Sequence, residues 1–215
     1  MNRLLVSSFA SLAAALLLTS TAAADPKTHD GFFLRTGLNL GYTSASKTVE
    51  GSMDSLYDSE ATKSGMGLGF DFLLGGTLAP GFTLGGGLMY GNTPAPRYQF
   101  RDYYGDSNGT SRDAMILLGV TLFGNYYFDP AHGGHAQLML GYATLYFNEF
   151  GLSEANRLNG PLFGIGGGYD FWVGNEWSIG PFLRIVYVVP SYDEPDSKTS
   201  ASYFYPSIGA SFTLH

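Results

Sequence analysis

The chain has no cysteine among its 215 residues, so neither disulfides nor thiolate chemistry hold it together. Charge is scarce as well. Asp, Glu, Lys and Arg make up 13% of the residues, and the formal balance is −7. A sparsely charged chain of net negative sign lacks the basic surface that nucleic-acid binding needs. Long apolar runs are missing beyond the first two dozen residues, which excludes a later membrane helix of roughly 18 or more apolar residues. Enzyme signals are also poor. The histidines His29, His132, His135 and His215 lie near the ends or in a short turn, and no Cys or carboxylate at ligand spacing completes a metal site. The glycine runs 85–87 and 164–168 have no helix after them, so they are not phosphate loops. Neither a catalytic role, a cofactor nor a metal is expected.

What remains is a leader and a repeated two-faced pattern. Residues 1–24, MNRLLVSSFASLAAALLLTSTAAA, have Arg3 in a basic start, an apolar stretch and a small-residue end. They read as a secretory signal peptide removed after Ala24. Removal takes away one Arg and no acid, moving the charge from −7 to −8, and leaves residues 25–215 as a single domain. All thirty glycines fall in that domain, about twice the usual share.

Eight segments alternate with period two. In KSGMGLGFDFLLGGTL (63–78), Met66, Leu68, Phe70, Phe72, Leu74 and Leu78 face one way. Gly65, Gly67, Gly69, Asp71 and Gly75 face the other. The same contrast recurs near residues 31–43, 82–91, 113–128, 135–147, 162–173, 177–189 and 203–214. Turns at 79–81, 129–134 and 174–176 are short and rich in Pro, Gly and Asn. The connections at 45–63, 93–111, 148–160 and 190–201 are longer and polar. Short and long links alternate, so the short turns share one end and the long loops the other.

Each apolar row is about ten residues, enough for a tilted strand to cross a bilayer. The opposite rows carry glycine rather than the Lys and Glu of a wetted surface. Tyr42, Tyr90 and Tyr146 fall toward the long loops, and Phe82, Phe128, Trp177 and Phe212 toward the short turns. Two aromatic girdles belong to the two membrane–water interfaces. The fold class is all-β: an eight-stranded antiparallel up-and-down transmembrane β-barrel with apolar residues outside and a smaller, more polar row inside.

With these rows the chain resembles the small eight-stranded outer-membrane barrels of Gram-negative bacteria, the OmpA-, OmpX- and OmpW-like group. The resemblance spans residues 31–215 as architecture. Its most specific match is Ser207-Ile208-Gly209-Ala210-Ser211-Phe212-Thr213-Leu214, which looks like the C-terminal β-signal read by the barrel-insertion machinery. Gly209, Phe212 and Leu214 take the matching positions, and His215 departs from the usual aromatic end. The resemblance implies residence in the outer membrane among its lipids and lipopolysaccharide, with the short turns in the periplasm and the long loops outside.

Two sets of residues are candidates for function. Arg35, Asp71, Asp170 and Arg184 are the charges on inward rows, two of each sign. Arg35 and Asp71 lie on neighbouring strands, as do Asp170 and Arg184. They act either as ion pairs that plug the centre or as a polar gate. The second set is RYQFRDYYGDSNGTSRD (97–113), where Arg97, Arg101 and Arg112 mix with Tyr98, Tyr103 and Tyr104. Arginines among aromatics favour binding, so these residues are candidates for an extracellular ligand, the other reading being strand ends rising above the membrane. Asn108-Gly109 in the same stretch reads as a turn. The function expected is structural or surface-interacting through the long loops; the alternative is a narrow porin-like channel for small or hydrophobic solutes.

Overall fold

The computed structural model describes residues 27–49, 59–102, 105–111, 113–146, 157–194 and 197–215. Eight long strands form the staves: β1 (Phe32–Val49), β2 (Ser59–Ala79), β3 (Phe82–Thr93), β6 (Met115–Asp129), β7 (His132–Tyr146), β8 (Arg157–Tyr169), β10 (Trp177–Val188) and β12 (Ser197–Leu214). Short segments supplement them: a hairpin of β4 (Arg97–Asp102) and β5 (Gly105–Thr110), then β9 (Phe171–Trp172) and β11 (Ser191–Glu194). Every described pairing is antiparallel between neighbours, and β1 closes the barrel by pairing with β2 on one side and β12 on the other. Closure follows from the two-faced pattern, because an open edge would leave backbone N–H and C=O groups unpaired in hydrocarbon.

The period-two rows point as the alternation requires. Along β10 each residue alternates between exposed and buried from Trp177 to Val188. Outward residues such as Leu38, Leu68, Val120, Leu140 and Leu183 are 59–69% exposed. A belt of bare Leu, Ile, Val and Phe on every stave has no place in water. It faces lipid, and the chain is an integral membrane barrel. From Leu34 to Tyr42 on β1 the outward row spans about 20–25 Å along the barrel axis. Tyr42, Tyr90, Tyr142 and Tyr187 sit outward near its long-loop margin, each 40–57% exposed. At the other margin the Trp177 and Phe212 rings stack at 4.5 Å.

The structure differs from the sequence reading at the long-loop end. Strand continues into all four long connections: β1 runs to Val49 and β2 starts at Ser59, β4 and β5 lie within 97–110, β8 starts at Arg157, and β11 and β12 occupy 191–194 and 197 onward. The hairpin of β4 and β5 lies on the edge of β2, with Ser64 opposite Arg97 and Glu60 opposite Arg101. Asn108 and Gly109 are not at a turn; they pair with Gln99 and Tyr98 inside that hairpin. Above the belt both sheet faces meet water. Ladder hydrogen bonds therefore continue without the apolar alternation that marks a strand in sequence.

The interior holds the polar row expected together with a large apolar packing. Sixteen buried apolar residues form one cluster, among them Phe33, Leu73, Met89, Leu117, Phe123, Met139, Leu162, Val186 and Tyr203. An eight-stranded barrel is just wide enough to be packed by side chains, and this one is.

Candidate functional site

The four inward charges are all within 3% of full burial. Each of these strands places its charge by parity: Arg35 shares the inward row with Phe33 and Gly37, Asp71 with Gly69 and Leu73, and Arg184 with Phe182 and Val186. The pairs cross the lumen instead of joining adjacent strands. Arg184 donates to Asp71 through two nitrogens, Nη1 to Oδ1 at 2.7 Å and Nη2 to Oδ2 at 3.3 Å. Arg35 lies 3.7 Å from Asp170 and donates to Ser211 Oγ at 2.8 Å. Strand β12, which lies between β1 and β10, is bridged from both sides. The reason is reach. Arg35 is in register with Leu73, not Asp71, and a long guanidinium arm spans the interior more readily than it folds back along its own wall.

Phe182 holds the two halves together. Its ring lies 4.6 Å from the Arg184 guanidinium carbon and 5.5 Å from that of Arg35. Both cations therefore meet the negative face of one ring, which partly replaces the water they gave up. Room is made by glycine. A Cβ on Gly37 would stand 2.7 Å from Asp71 Oδ2, and one on Gly209 would stand 2.6 Å from the Phe182 ring. Asn39 donates to Asp71 at 3.4 Å and accepts from the Tyr205 hydroxyl at 2.7 Å. Gly209, placed in the β-signal by sequence, thus also has a packing role, while Phe212 and Leu214 lie on the outward row.

A second layer lies at the short-turn end. The Tyr127 hydroxyl donates to Asp170 at 2.9 Å. Arg35 Nη1 is 3.0 Å from His135 Nε2. Arginine can only donate, so Nε2 accepts and the His135 proton sits on Nδ1, which meets the Gly133 carbonyl at 3.0 Å. Three of the four histidines converge here. His29 and His215 face each other Nδ1 to Nδ1 at 3.1 Å, and His215 Nε2 is 2.9 Å from Ser178 Oγ. Among the described residues no group of three His, Cys, Asp or Glu is placed to hold a metal ion. Sequence reasoning missed Phe182, Asn39, Tyr205, Tyr127 and the histidine cluster. Their inward parity was legible, but their convergence appears only when the first strand meets the last.

Above the rim, Arg97, Tyr98 and Arg101 are carried by β4. Arg101 is exposed and pairs with Asp106 of β5 at 3.0 Å. Tyr98 lies across Gly109 of the facing strand. A cleft of about 200 Å³ opens between hairpin and barrel, lined by Glu60, Thr62, Gln99, Phe100, Arg101 and Asp106 among others. Arg97 and Tyr98 share the hairpin without lining that cleft. Tyr103, Tyr104 and Arg112 lie outside the described residues.

No protein-family model and no curated protein matches the chain. Among solved structures it is similar to the outer membrane protein OprG from Pseudomonas aeruginosa, at 15% identity and a TM-score of 0.46, over 89% of this chain and all of that one. It is similar as well to Neisserial surface protein A, at 12% identity and a TM-score of 0.46, over 83% of this chain and 95% of that one. A third likeness is to the outer membrane protease OmpT from Escherichia coli, at 10% identity and a TM-score of 0.41, over 91% of this chain and all of that one.

Proposed function

We propose that this chain is an outer-membrane barrel with a sealed lumen, whose role is carried by what it displays above the membrane. Closed antiparallel barrels with an apolar exterior are the integral proteins of that membrane, whose lipids and lipopolysaccharide surround the belt. The observation that carries the reading is the packing of the interior. Two ion pairs cross it, Phe182 lies between their arginines, and apolar side chains fill it toward the long-loop end. Buried charges paired and packed in this way stabilise a plug and oppose a polar path. The hairpin of β4 and β5, with Arg97, Tyr98 and Arg101, is the surface we assign to an extracellular ligand, acting by binding rather than by catalysis. Delivery to the membrane uses the insertion machinery through Gly209, Phe212 and Leu214.

The hairpin can be tested cleanly because its base is closed. Ser111 N donates to Pro96 O at 2.8 Å, so the chain leaves and re-enters the rim at one point. Replacing residues 97–110 with a two-residue glycine turn is expected to leave insertion and the heat-induced gel shift intact. Binding of cells bearing the barrel to a panel of immobilised glycans and proteins is expected to be lost. Binding that survives the excision in a folded barrel would reject the hairpin as the ligand surface.

A further inference from the structure

The segment before β1 does not leave the barrel; it turns back and closes the short-turn end. Lys27 N donates to Asn175 O at 2.8 Å, His29 N to Pro130 O at 3.1 Å, and Thr77 N to Gly31 O at 2.8 Å. Three different parts of the rim thus hold five residues. His29 goes deepest and is 1% exposed. Its ring stacks on Tyr127 at 3.6 Å and on Trp172 at 4.7 Å, and His215 meets it edge-on at 4.3 Å. The backbone takes left-handed conformations at both ends of the segment, with φ of 61° at Lys27 and 81° at Gly31. Glycine adopts that geometry freely; at Lys27 it is strained.

We propose that residues 27–31 are a floor plug for the barrel, latched by His29 and released by acid. The latch depends on two neutral imidazoles. Facing Nδ1 atoms hold together when one donates and the other accepts, and a single added proton still leaves one acceptor. A second proton puts two N–H groups face to face, and the contact breaks. Counter-charge is in short supply. Asp170 is the strongest attraction on His29, but it already serves Arg35, the Tyr127 hydroxyl and His135. A proton on His135 would repel one on His29; Arg35, and protons on His29 or His135, repel one on His215. The His132 main chain and Asp30 of the segment itself attract more weakly, and Nε2 makes no hydrogen bond as seated.

Burial, against the attraction of Asp170, lowers His29 to about 4 and His215 to about 3 from the ordinary 6.5. The sign follows. A released imidazole takes its proton near 6.5, so above that pH seating keeps its full stability. As pH falls below 6.5 the released form gains, about tenfold per pH unit from His29, until the seated ring is itself protonated.

Trp172 and Trp177 are the two tryptophans, and Trp172 lies against the latch. With Trp177→Phe, acrylamide quenching of Trp172 reads the plug directly in residues 25–215 refolded into phosphatidylcholine vesicles. Between pH 7.5 and 4.5 the quenching constant is expected to rise several-fold and reversibly, with the heat-induced gel shift unchanged. His29→Phe keeps a stacking ring without a titrating proton and is expected to abolish the rise. Lys27→Gly, which relieves the left-handed strain while leaving His29 in place, is expected to move the rise to lower pH. Quenching that stays flat in the Trp177→Phe chain, a rise that persists in His29→Phe, or a midpoint indifferent to Lys27→Gly would each overturn the proposal.

Discussion

Asp71→Ala is expected to destabilise the folded barrel by about 3–5 kcal/mol, because it strands a buried arginine. Arg184 would lose both of its carboxylate bonds while remaining 3% exposed, and Asn39 would lose its acceptor. Leu73 and Phe182, the next inward residues beside Asp71 and Arg184, are buried and shield the site from solvent. The double variant Asp71→Ala with Arg184→Ala should cost much less than the sum of the two single changes. Asp71→Ala with Arg35→Ala should be closer to additive, apart from the Phe182 ring that the two arginines share. Reversible urea unfolding in vesicles, followed by tryptophan emission, measures all of these. Coupling of Asp71 to Arg35 in place of Arg184 would contradict the crossed pairing.

The second large effect lies on the outside. Leu140 is 59% exposed in the middle of its stave, between Leu122 and Phe163 on the neighbouring strands. Leu140→Arg is expected to cost about 2–4 kcal/mol in a bilayer, the penalty for a cation at mid-depth on a lipid-facing wall. Ser64→Arg, on the same outward parity but at the polar rim where β2 meets β4, should cost no more than about 1 kcal/mol. The same unfolding measurement separates them. Equal effects at the two positions would mean that the apolar belt does not lie across the hydrocarbon.

These two effects were legible in the sequence to different degrees. The eight staves were, because a lipid-facing wall forces an unbroken alternation on each strand, as in Met66, Leu68, Phe70 and Phe72 against Gly67, Gly69 and Asp71. Parity also placed all four charges inside. Their pairing was hidden, since it depends on how far an arginine reaches across a closed lumen and not on which strands are neighbours. The hairpin at 97–110 was hidden for another reason. GDSNGT has no apolar face to bury, and the structure leaves nearly all of it exposed, so no period-two signal exists to be read. The histidine cluster needs positions 29, 135 and 215 brought together, and only closure of the barrel between β1 and β12 does that.

Gly37 and Gly209 show how the two levels connect. In sequence they belong to a row of small residues; in the barrel they are the positions where Asp71 and Phe182 need the space a Cβ would fill. The small residues of one strand and the large side chains of their register partners on the next strand form one packed interior.

Solute efflux tests the proposed seal of the lumen most directly. Vesicles loaded with small charged and apolar solutes would carry refolded residues 25–215, with folding confirmed by the mobility shift on heating. A sealed lumen predicts leakage no faster than from vesicles without protein. Flux through the unmodified barrel that rises or changes selectivity with Arg184→Ala would contradict it, and would make the crossed charges a constriction in a conducting path.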